Sequence, residues 1–228
     1  MFTANSQTVK QTTFLSIIVQ FLTGLVLIAA LVSGRGPRLL RDVLAMEAVV
    51  QFIEFIFYMY IVRTLKSSTG YKTMAAKRYI DWIFTTPTML VALAAYFQHE
   101  FQVQTKSAKH QTILEFIKTE KYNLITMVLA NTHMIIFGAL GELGYMSIPL
   151  AMVAGFVAYI VAFMTLFQYT KGVKINQTLF WIVAVVWTIY GFVFALPAHA
   201  KNISYNGLDL IAKNFFGTYL SIKILQDV

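Results

Sequence analysis

The fold is decided by the stretch FLSIIVQFLTGLVLIAALVS at residues 14–33, which contains no charged side chain. An α-helix of about 20 residues, rising about 1.5 Å per residue, crosses the roughly 30 Å hydrocarbon layer of a membrane. The stretch stops at GRGP, residues 34–37, where two glycines and a proline end a helix. Because it is longer than the apolar part of a cleavable signal peptide, we expect it to be retained as a membrane-spanning helix.

Six further apolar stretches of similar length follow, separated by polar residues. In lipid only helices and closed barrels satisfy every backbone hydrogen bond, and continuous apolar runs of this length favour helices. We therefore predict an all-α membrane protein, a seven-transmembrane-helix bundle in the lipid bilayer that forms a single domain over residues 1–228. The predicted helices span residues 13–33, 41–63, 79–97, 124–143, 148–167, 179–196 and 203–225, with a short surface helix at 113–122.

The composition supports a membrane protein and excludes several other classes. Hydrophobic residues make up 58% of the chain and charged residues 12%, against about 25% charged in soluble domains. No cysteine is present, which excludes disulfides and thiolate metal sites, and the four histidines are too scattered to predict a metal site. The net charge of +8 is not gathered in a long basic run, so no nucleic-acid partner is expected.

The distribution of lysine and arginine predicts the orientation. Ten of these residues flank the side that holds the odd-numbered loops and the C-terminus, and seven flank the other side. By the positive-inside rule the C-terminus is cytoplasmic and the N-terminus extracellular. This count takes Lys66, Lys109, Lys201 and Lys223 as loop or terminal residues and Arg78 as a residue at the membrane edge.

Several ionisable residues fall inside the predicted spans, where a charge at the bilayer centre costs at least about 2.5–3.5 kcal/mol. Asp209 and Lys213 are one helical turn apart and share a face. They form either a structural ion pair or a lysine in a dry pocket with its counter-ion, ready to form a Schiff base with a carbonyl compound. Trp82, Trp187 and Tyr190 lie away from the membrane surfaces, and such aromatics form either ordinary core or a clamp for a flat polyene.

Two motifs resemble those of the microbial (type 1) rhodopsins. The third span reads RYIDWIFTTP at residues 78–87, similar to the family's R-x-x-D-W-x-x-T-T-P, and the seventh reads DLIAK at residues 209–213, similar to D-x-x-A-K. The resemblance covers essentially the whole chain. It implies all-trans retinal bound to Lys213 as a Schiff base, in a protein that is not an enzyme.

The resemblance also implies roles for the neighbouring residues. Asp81 would be the principal counter-ion and proton acceptor, Asp209 the second counter-ion, and Arg78 the group that orients both. Thr85 would line the retinal and hydrogen-bond Asp81. The implied retinal contacts are Trp82, Thr86, Met134, Gly138, Trp187 and Tyr190. The chain departs from the outward proton pumps of the family at Ala92, where those pumps usually carry a carboxylic proton donor.

A polar route is predicted between the first, second and seventh helices. Glu47 and Glu54 are two turns apart, about 10.5 Å along one face, with Gln51 between them. Polar residues also follow one face of the first and of the seventh helix; hydrogen bonding between helices explains the former but accounts poorly for two glutamates inside a span. The predicted route contains Ser16, Glu47, Gln51, Glu54, Asn206 and Asn214.

Carboxylates that line a wet pore favour cations. In this respect the chain resembles the giant-virus rhodopsins of the first viral group, which are light-gated cation channels. We therefore predict such a channel, gated by hydrogen bonds among Glu54, Asn206 and neighbouring polar groups. An outward proton pump ranks second, and a photosensor, which needs a transducer partner or a signalling tail, ranks third. The expected partners are monovalent cations or protons, with calcium as a candidate blocker; a homo-oligomer is left open.

Overall fold

The computed structural model describes residues 4–65, 70–107 and 111–226, with side chains from residue 6 onwards. Its regular structure is helical throughout these ranges, which confirms the predicted all-α class. Lys66 and Lys109, which the charge count used, lie outside the described residues. The α-helices are α1 (Ala4–Val32), α2 (Arg38–Thr64), α3 (Met74–Gln104), α4 (Ile113–Thr119), α5 (Lys121–Glu142), α6 (Ile148–Phe167), α7 (Lys174–Val193), α8 (Ala198–Asp209) and α9 (Phe215–Gln226).

The seventh span is built differently from the others. Within the described ranges, α1, α2, α3, α5, α6 and α7 are each long and apolar enough to cross a membrane. The seventh span consists of α8 and α9 joined by a π-helical turn, Leu210–Asn214, so that neither α-helical part alone reaches spanning length. Together these elements form the predicted seven-helix bundle.

Several helices are longer than predicted. Helix α1 begins at Ala4 rather than residue 13, and α3 covers Met74–Gln104 rather than 79–97. Hydropathy marks only the part of a helix that lies in lipid, whereas backbone hydrogen bonding continues through the polar residues at its ends. The predicted stop after α1 is confirmed: Gly34 has a φ of 66°, in the left-handed region that favours glycine.

The spanning helices form a closed ring. Helix α1 packs against α2, α2 against α3, α3 against α5, α5 against α6, and α6 against α7. The seventh span contacts α7 and closes the ring against α1. Arg35 Nη1 donates to the main-chain carbonyl of Leu225 at 3.0 Å, so the start of α2 and the end of α9 meet at one end of the bundle.

The surface helix predicted at 113–122 is present as α4, which ends at Thr119. It begins with a capping box: the Thr112 main-chain N–H donates to Glu115 Oε2 at 2.8 Å, and Thr112 Oγ1 accepts from the Glu115 N–H at 3.3 Å. Hydrogen bonds from Thr112 lower the pKa of Glu115 below its usual range. The Ile113 N–H donates to Asp42 Oδ2 at 3.0 Å, which ties α4 to α2.

Candidate functional site

Lys213 lies in the π-helical turn of the seventh span and is surrounded by three carboxylates. Its Nζ lies 2.7 Å from Asp81 Oδ2, 3.2 Å from Glu54 Oε1 and 3.9 Å from Asp209 Oδ1. All four side chains are at most 2% exposed. Helices α2 and α3 and the seventh span thus bring three acids to one buried amine. Short π-helical turns occur frequently at functional sites.

The three carboxylates differ in how their oxygens are bound. Asp209 accepts hydrogen bonds from Arg78 Nη1, the Tyr58 hydroxyl and the Tyr190 hydroxyl, each at 2.6 Å, so both of its oxygens are bound. Asp81 Oδ2 accepts from Lys213, while Oδ1 has no partner among the described residues. Glu54 approaches Lys213 without hydrogen-bond geometry, and neither of its oxygens accepts a hydrogen bond there.

Arg78 is fully buried, not at the membrane edge as the sequence suggested. Because α3 already begins at Met74, Arg78 lies one turn inside the helix and points into the bundle. Its guanidinium bonds Asp209 and the Tyr58 hydroxyl through Nη1 and the side-chain carbonyl of Asn206 through Nη2. It also lies 5.2 Å from the centre of the Tyr58 ring. A buried arginine with several acceptors holds this half of the bundle together.

Asn206 connects Arg78 to the first helix and forms no hydrogen bond with Glu54. Its Nδ2 donates to Thr12 Oγ1 at 2.8 Å and Thr13 Oγ1 at 3.1 Å, and Ser16 Oγ donates to its main-chain carbonyl at 3.4 Å. Of the predicted hydrogen bonds among Glu54, Asn206 and neighbouring polar groups, those of Asn206 are present, but Glu54 takes no part in them. Asn206 is bound by Arg78 and α1, whereas the Glu54 carboxylate turns to Lys213.

A second prediction also needs correction. Thr85 is fully buried, as expected, but its hydroxyl donates to the main-chain carbonyl of Asp81 at 3.1 Å and not to the Asp81 carboxylate. A threonine hydroxyl inside a helix readily reaches the carbonyl four residues earlier. The Asp81 carboxylate therefore has Lys213 as its hydrogen-bonding partner.

Buried polar side chains extend from Lys213 toward the end of the bundle where α9 finishes. Glu47 and Gln51 lie on α2, Gln20 on α1 and Asn214 beside Lys213, and all are at most 6% exposed. Gln51 Nε2 donates to the main-chain carbonyl of Gln20 at 3.1 Å. Within the described residues, Glu47 Oε1 and both amide atoms of the Gln20 and Asn214 side chains lack a hydrogen-bond partner. Buried polar groups are nearly always hydrogen-bonded, which makes this row unusual.

A cavity runs from Lys213 between α3, α5, α6 and α7. Lys213 is the one charged residue among the described residues that line this cavity. The hydroxyl of Thr86, also in the lining, accepts a hydrogen bond from Asn131 Nδ2 at 2.8 Å. Trp82 and Tyr190 meet edge to face, with ring centres 5.5 Å apart. The lining includes six residues predicted to contact retinal: Trp82, Thr86, Met134, Gly138, Trp187 and Tyr190. Thr85, which was also predicted to line the retinal, is not among the lining residues.

Glycines let bulky rings form the wall of this cavity. A Cβ added at Gly191 would lie 2.5 Å from Cζ of Phe156, and one at Gly138 would lie 2.7 Å from the Tyr79 ring. Either contact is too short for real atoms. Phe156 and Tyr79 therefore occupy the space that larger side chains at these two positions would need.

The sequence profile of the bacteriorhodopsin-like proteins matches residues 8–224. This chain belongs to the bacteriorhodopsin-like family. Solved structures with the same fold include the viral rhodopsin OLPVRII (24% identity, 96% of this chain and 99% of that chain, TM-score 0.84). Another is a blue light-absorbing proteorhodopsin from Med12 (22% identity, 96% of this chain and 99% of that chain, TM-score 0.76). A third is halorhodopsin, a light-driven chloride pump (15% identity, 94% of this chain and 93% of that chain, TM-score 0.68). A comparison with curated proteins finds no match.

Membership of this family implies a retinal chromophore, and the cavity of this rhodopsin fits one. Apolar and aromatic side chains suit a polyene, and the buried amine at the end of the cavity suits its terminal aldehyde. Tyr58, which binds both Arg78 and Asp209, was not among the predicted site residues. Tyr58 lies four residues after Glu54, on the same face of α2, so extending that polar face by one turn would have identified it.

Proposed function

We propose that this rhodopsin is a light-gated cation channel that carries all-trans retinal on Lys213. The amine would condense with the aldehyde of retinal to form a Schiff base and release water. Retinal supplies the absorption of visible light and a change of shape on excitation. Trp82, Trp187 and Tyr190 would hold the polyene, with Thr86, Met134 and Gly138 completing its surroundings.

The row of buried polar groups beside Lys213 carries this proposal. Gln20, Glu47, Glu54 and Asn214 hold polar atoms without a protein partner in the described residues. In a bilayer such atoms are expensive unless they face water or an ion. A narrow hydrated route on one side of Lys213, lined by two glutamates, therefore favours the passage of cations.

The opposite side of Lys213 is closed by hydrogen bonds. Arg78, Tyr58, Asn206 and Asp209 form a connected network across α2, α3 and the seventh span, with α1 joined through Thr12 and Thr13. A buried guanidinium also repels cations. We propose that this network is the closed gate of the channel, and that movement at Lys213 opens it because Asp209 and Lys213 share one span.

An outward proton pump is the second candidate, and one contact favours it. Asp81 lies 2.7 Å from Lys213 and has one oxygen without a partner in the described residues, so it can accept a proton from the lysine nitrogen. Helix α3 lacks the carboxylic donor that the family's outward pumps usually carry, because position 92 is an alanine. Either activity is transport rather than catalysis, with the C-terminus proposed to lie in the cytoplasm.

Photocurrents under voltage clamp separate the two candidates. A channel gives a current that reverses with the cation gradient, whereas a pump gives outward current at every voltage. Glu47→Gln and Glu54→Gln should change the conductance or the reversal potential, while the same substitution at the exposed residue Glu115 on α4 should not. Calcium should reduce sodium current if it binds the glutamates of the route. Wild-type currents and reversal potentials in both Gln variants would contradict the proposed route.

A further inference from the structure

A second polar cluster joins α3 to α9, well away from the retinal site. Lys223 Nζ lies 2.6 Å from Glu100 Oε1 and 3.3 Å from the Tyr96 hydroxyl, and the Tyr96 and Tyr219 hydroxyls are 2.8 Å apart. Tyr96 is fully buried, and the side chains of Lys223 and Glu100 are 27% and 12% exposed. Neither the counter-ions nor the retinal cavity explains this cluster.

The cluster lies at the level of the bundle where the polar route must end. Tyr219 and Lys223 follow Lys213 by 6 and 10 residues, which is about 9 and 15 Å along a helix. Glu47 lies about 10.5 Å from Glu54 in the same direction, because the start of α2 and the end of α9 meet at one end of the bundle. The tyrosine pair is thus near the level of Glu47, and the ion pair lies beyond it.

We propose that Tyr96, Glu100, Tyr219 and Lys223 form a latch that closes the route at its predicted cytoplasmic exit. As a gate, this latch rests on the proposed channel function. The Tyr96–Tyr219 hydrogen bond joins α3 to α9 in the dark, and the Lys223–Glu100 pair holds the two helix ends together. When α9 moves with Lys213, both contacts break and α3 and α9 separate.

The charges of the pair fit this role. A lysine at the exit of a cation route repels the permeating ion, and a partner carboxylate 2.6 Å away neutralises it. Because the pair is only partly buried, it can exchange its partners for water without a large desolvation penalty. It is therefore suited to repeated opening and closing, unlike the fully buried Arg78–Asp209 pair.

Spin-label distances test the latch without reference to current. The chain contains no cysteine, so Val103→Cys on α3 and Ile222→Cys on α9, both about half-exposed positions (52% and 46%), give a unique labelled pair. In retinal-reconstituted protein, light should shift the distance between the labels to longer values. Lys223→Met should show the longer distance already in the dark. Lys118→Met, which removes a cytoplasmic-side charge outside the latch, should leave the dark distance unchanged.

Photocurrents test the gating role in the same variants. Lys223→Met and Tyr219→Phe should slow channel closing about tenfold, equivalent to about 1.4 kcal/mol, whereas Lys118→Met should close at the wild-type rate. Reversing the pair with Lys223→Glu and Glu100→Lys together should restore fast closing. Wild-type dark distances and closing rates in both latch variants would overturn the latch. If the wild type carries no passive current, the channel proposal fails instead, and the label distances alone decide whether α3 and α9 are latched.

Discussion

Glu54 on α2 and Lys213 on the seventh span are 159 positions apart in the chain, yet the carboxylate and the amine approach to 3.2 Å. Asp81 and Asp209 complete a group of three acids, and the buried cations nearby are Lys213 and Arg78. Three ionised acids against two cations would leave an uncompensated buried charge, which is strongly unfavourable. Glu54, whose oxygens accept no hydrogen bond from the described residues, is the acid best placed to remain neutral.

The first prediction concerns the colour of Glu54→Gln. If Glu54 is neutral in the dark, replacing it with a neutral amide should shift the visible absorption band less than Asp81→Asn does. Absorption spectra of the two purified variants with bound retinal measure this difference. An equal or larger shift in Glu54→Gln would mean that Glu54 is ionised and acts as a counter-ion.

Asp81→Asn should move the visible band to longer wavelength. A carboxylate 2.7 Å from the lysine nitrogen stabilises the positive charge there in the dark state, and neutralising it removes this stabilisation. Acid titration of the wild type should cause a similar shift as Asp81 takes up a proton. If Asp209→Asn shifts the band while Asp81→Asn does not, the roles of the two aspartates are reversed.

Lys213→Ala should abolish the visible band after incubation with all-trans retinal, because no other lysine lines the cavity among the described residues. Absorption spectroscopy of the reconstituted membranes provides the readout. Lys72→Ala, which removes a lysine at an exposed position, is the control and should remain coloured. A coloured Lys213→Ala protein without added amine would refute the assignment.

Arg78→Gln should destabilise the folded protein. Removing one partner of a fully buried ion pair leaves the other charge uncompensated, a loss of about 3–5 kcal/mol in typical cases, and here Asp209 would be left with two tyrosine donors. Unfolding of the purified protein in detergent measures the loss. Lys72→Gln, at an exposed position, should unfold like the wild type. Equal stability of both variants would show that Asp209 does not depend on Arg78.

Gly191→Ala should impair the binding of retinal. The added methyl group would lie 2.5 Å from Phe156 Cζ, so Phe156 would have to move within the cavity that its ring lines. We expect slower formation of the coloured protein after retinal is added, followed by absorbance over time. Gly207→Ala is the matched control because nothing lies within 4 Å of its added Cβ. Equal rates of colour formation in the two variants would show that the cavity accommodates a methyl group at Gly191.

Much of the fold followed from the sequence because membrane helices are marked by apolar runs of fixed length. The approach of Asp81 and Asp209 to Lys213 also agrees with motif spacing. The position of Glu54 could not be predicted in this way, since spacing along α2 says which face a residue shares but not which helix that face meets. Lys201 was wrongly assigned to a loop for a related reason. It lies within α8, is 7% exposed and donates to Glu142.

The π-helical turn at Leu210–Asn214 is a point at which the two halves of the seventh span can rotate against each other. A π turn contains one residue more than an α turn, so its conversion to α geometry would rotate one half of the span against the other by about 100°. Hydrogen bonds from Asn202 and Asn206 fasten α8 to the rest of the bundle. A change of shape at Lys213 would therefore turn α9, and with it Tyr219 and Lys223, relative to α8.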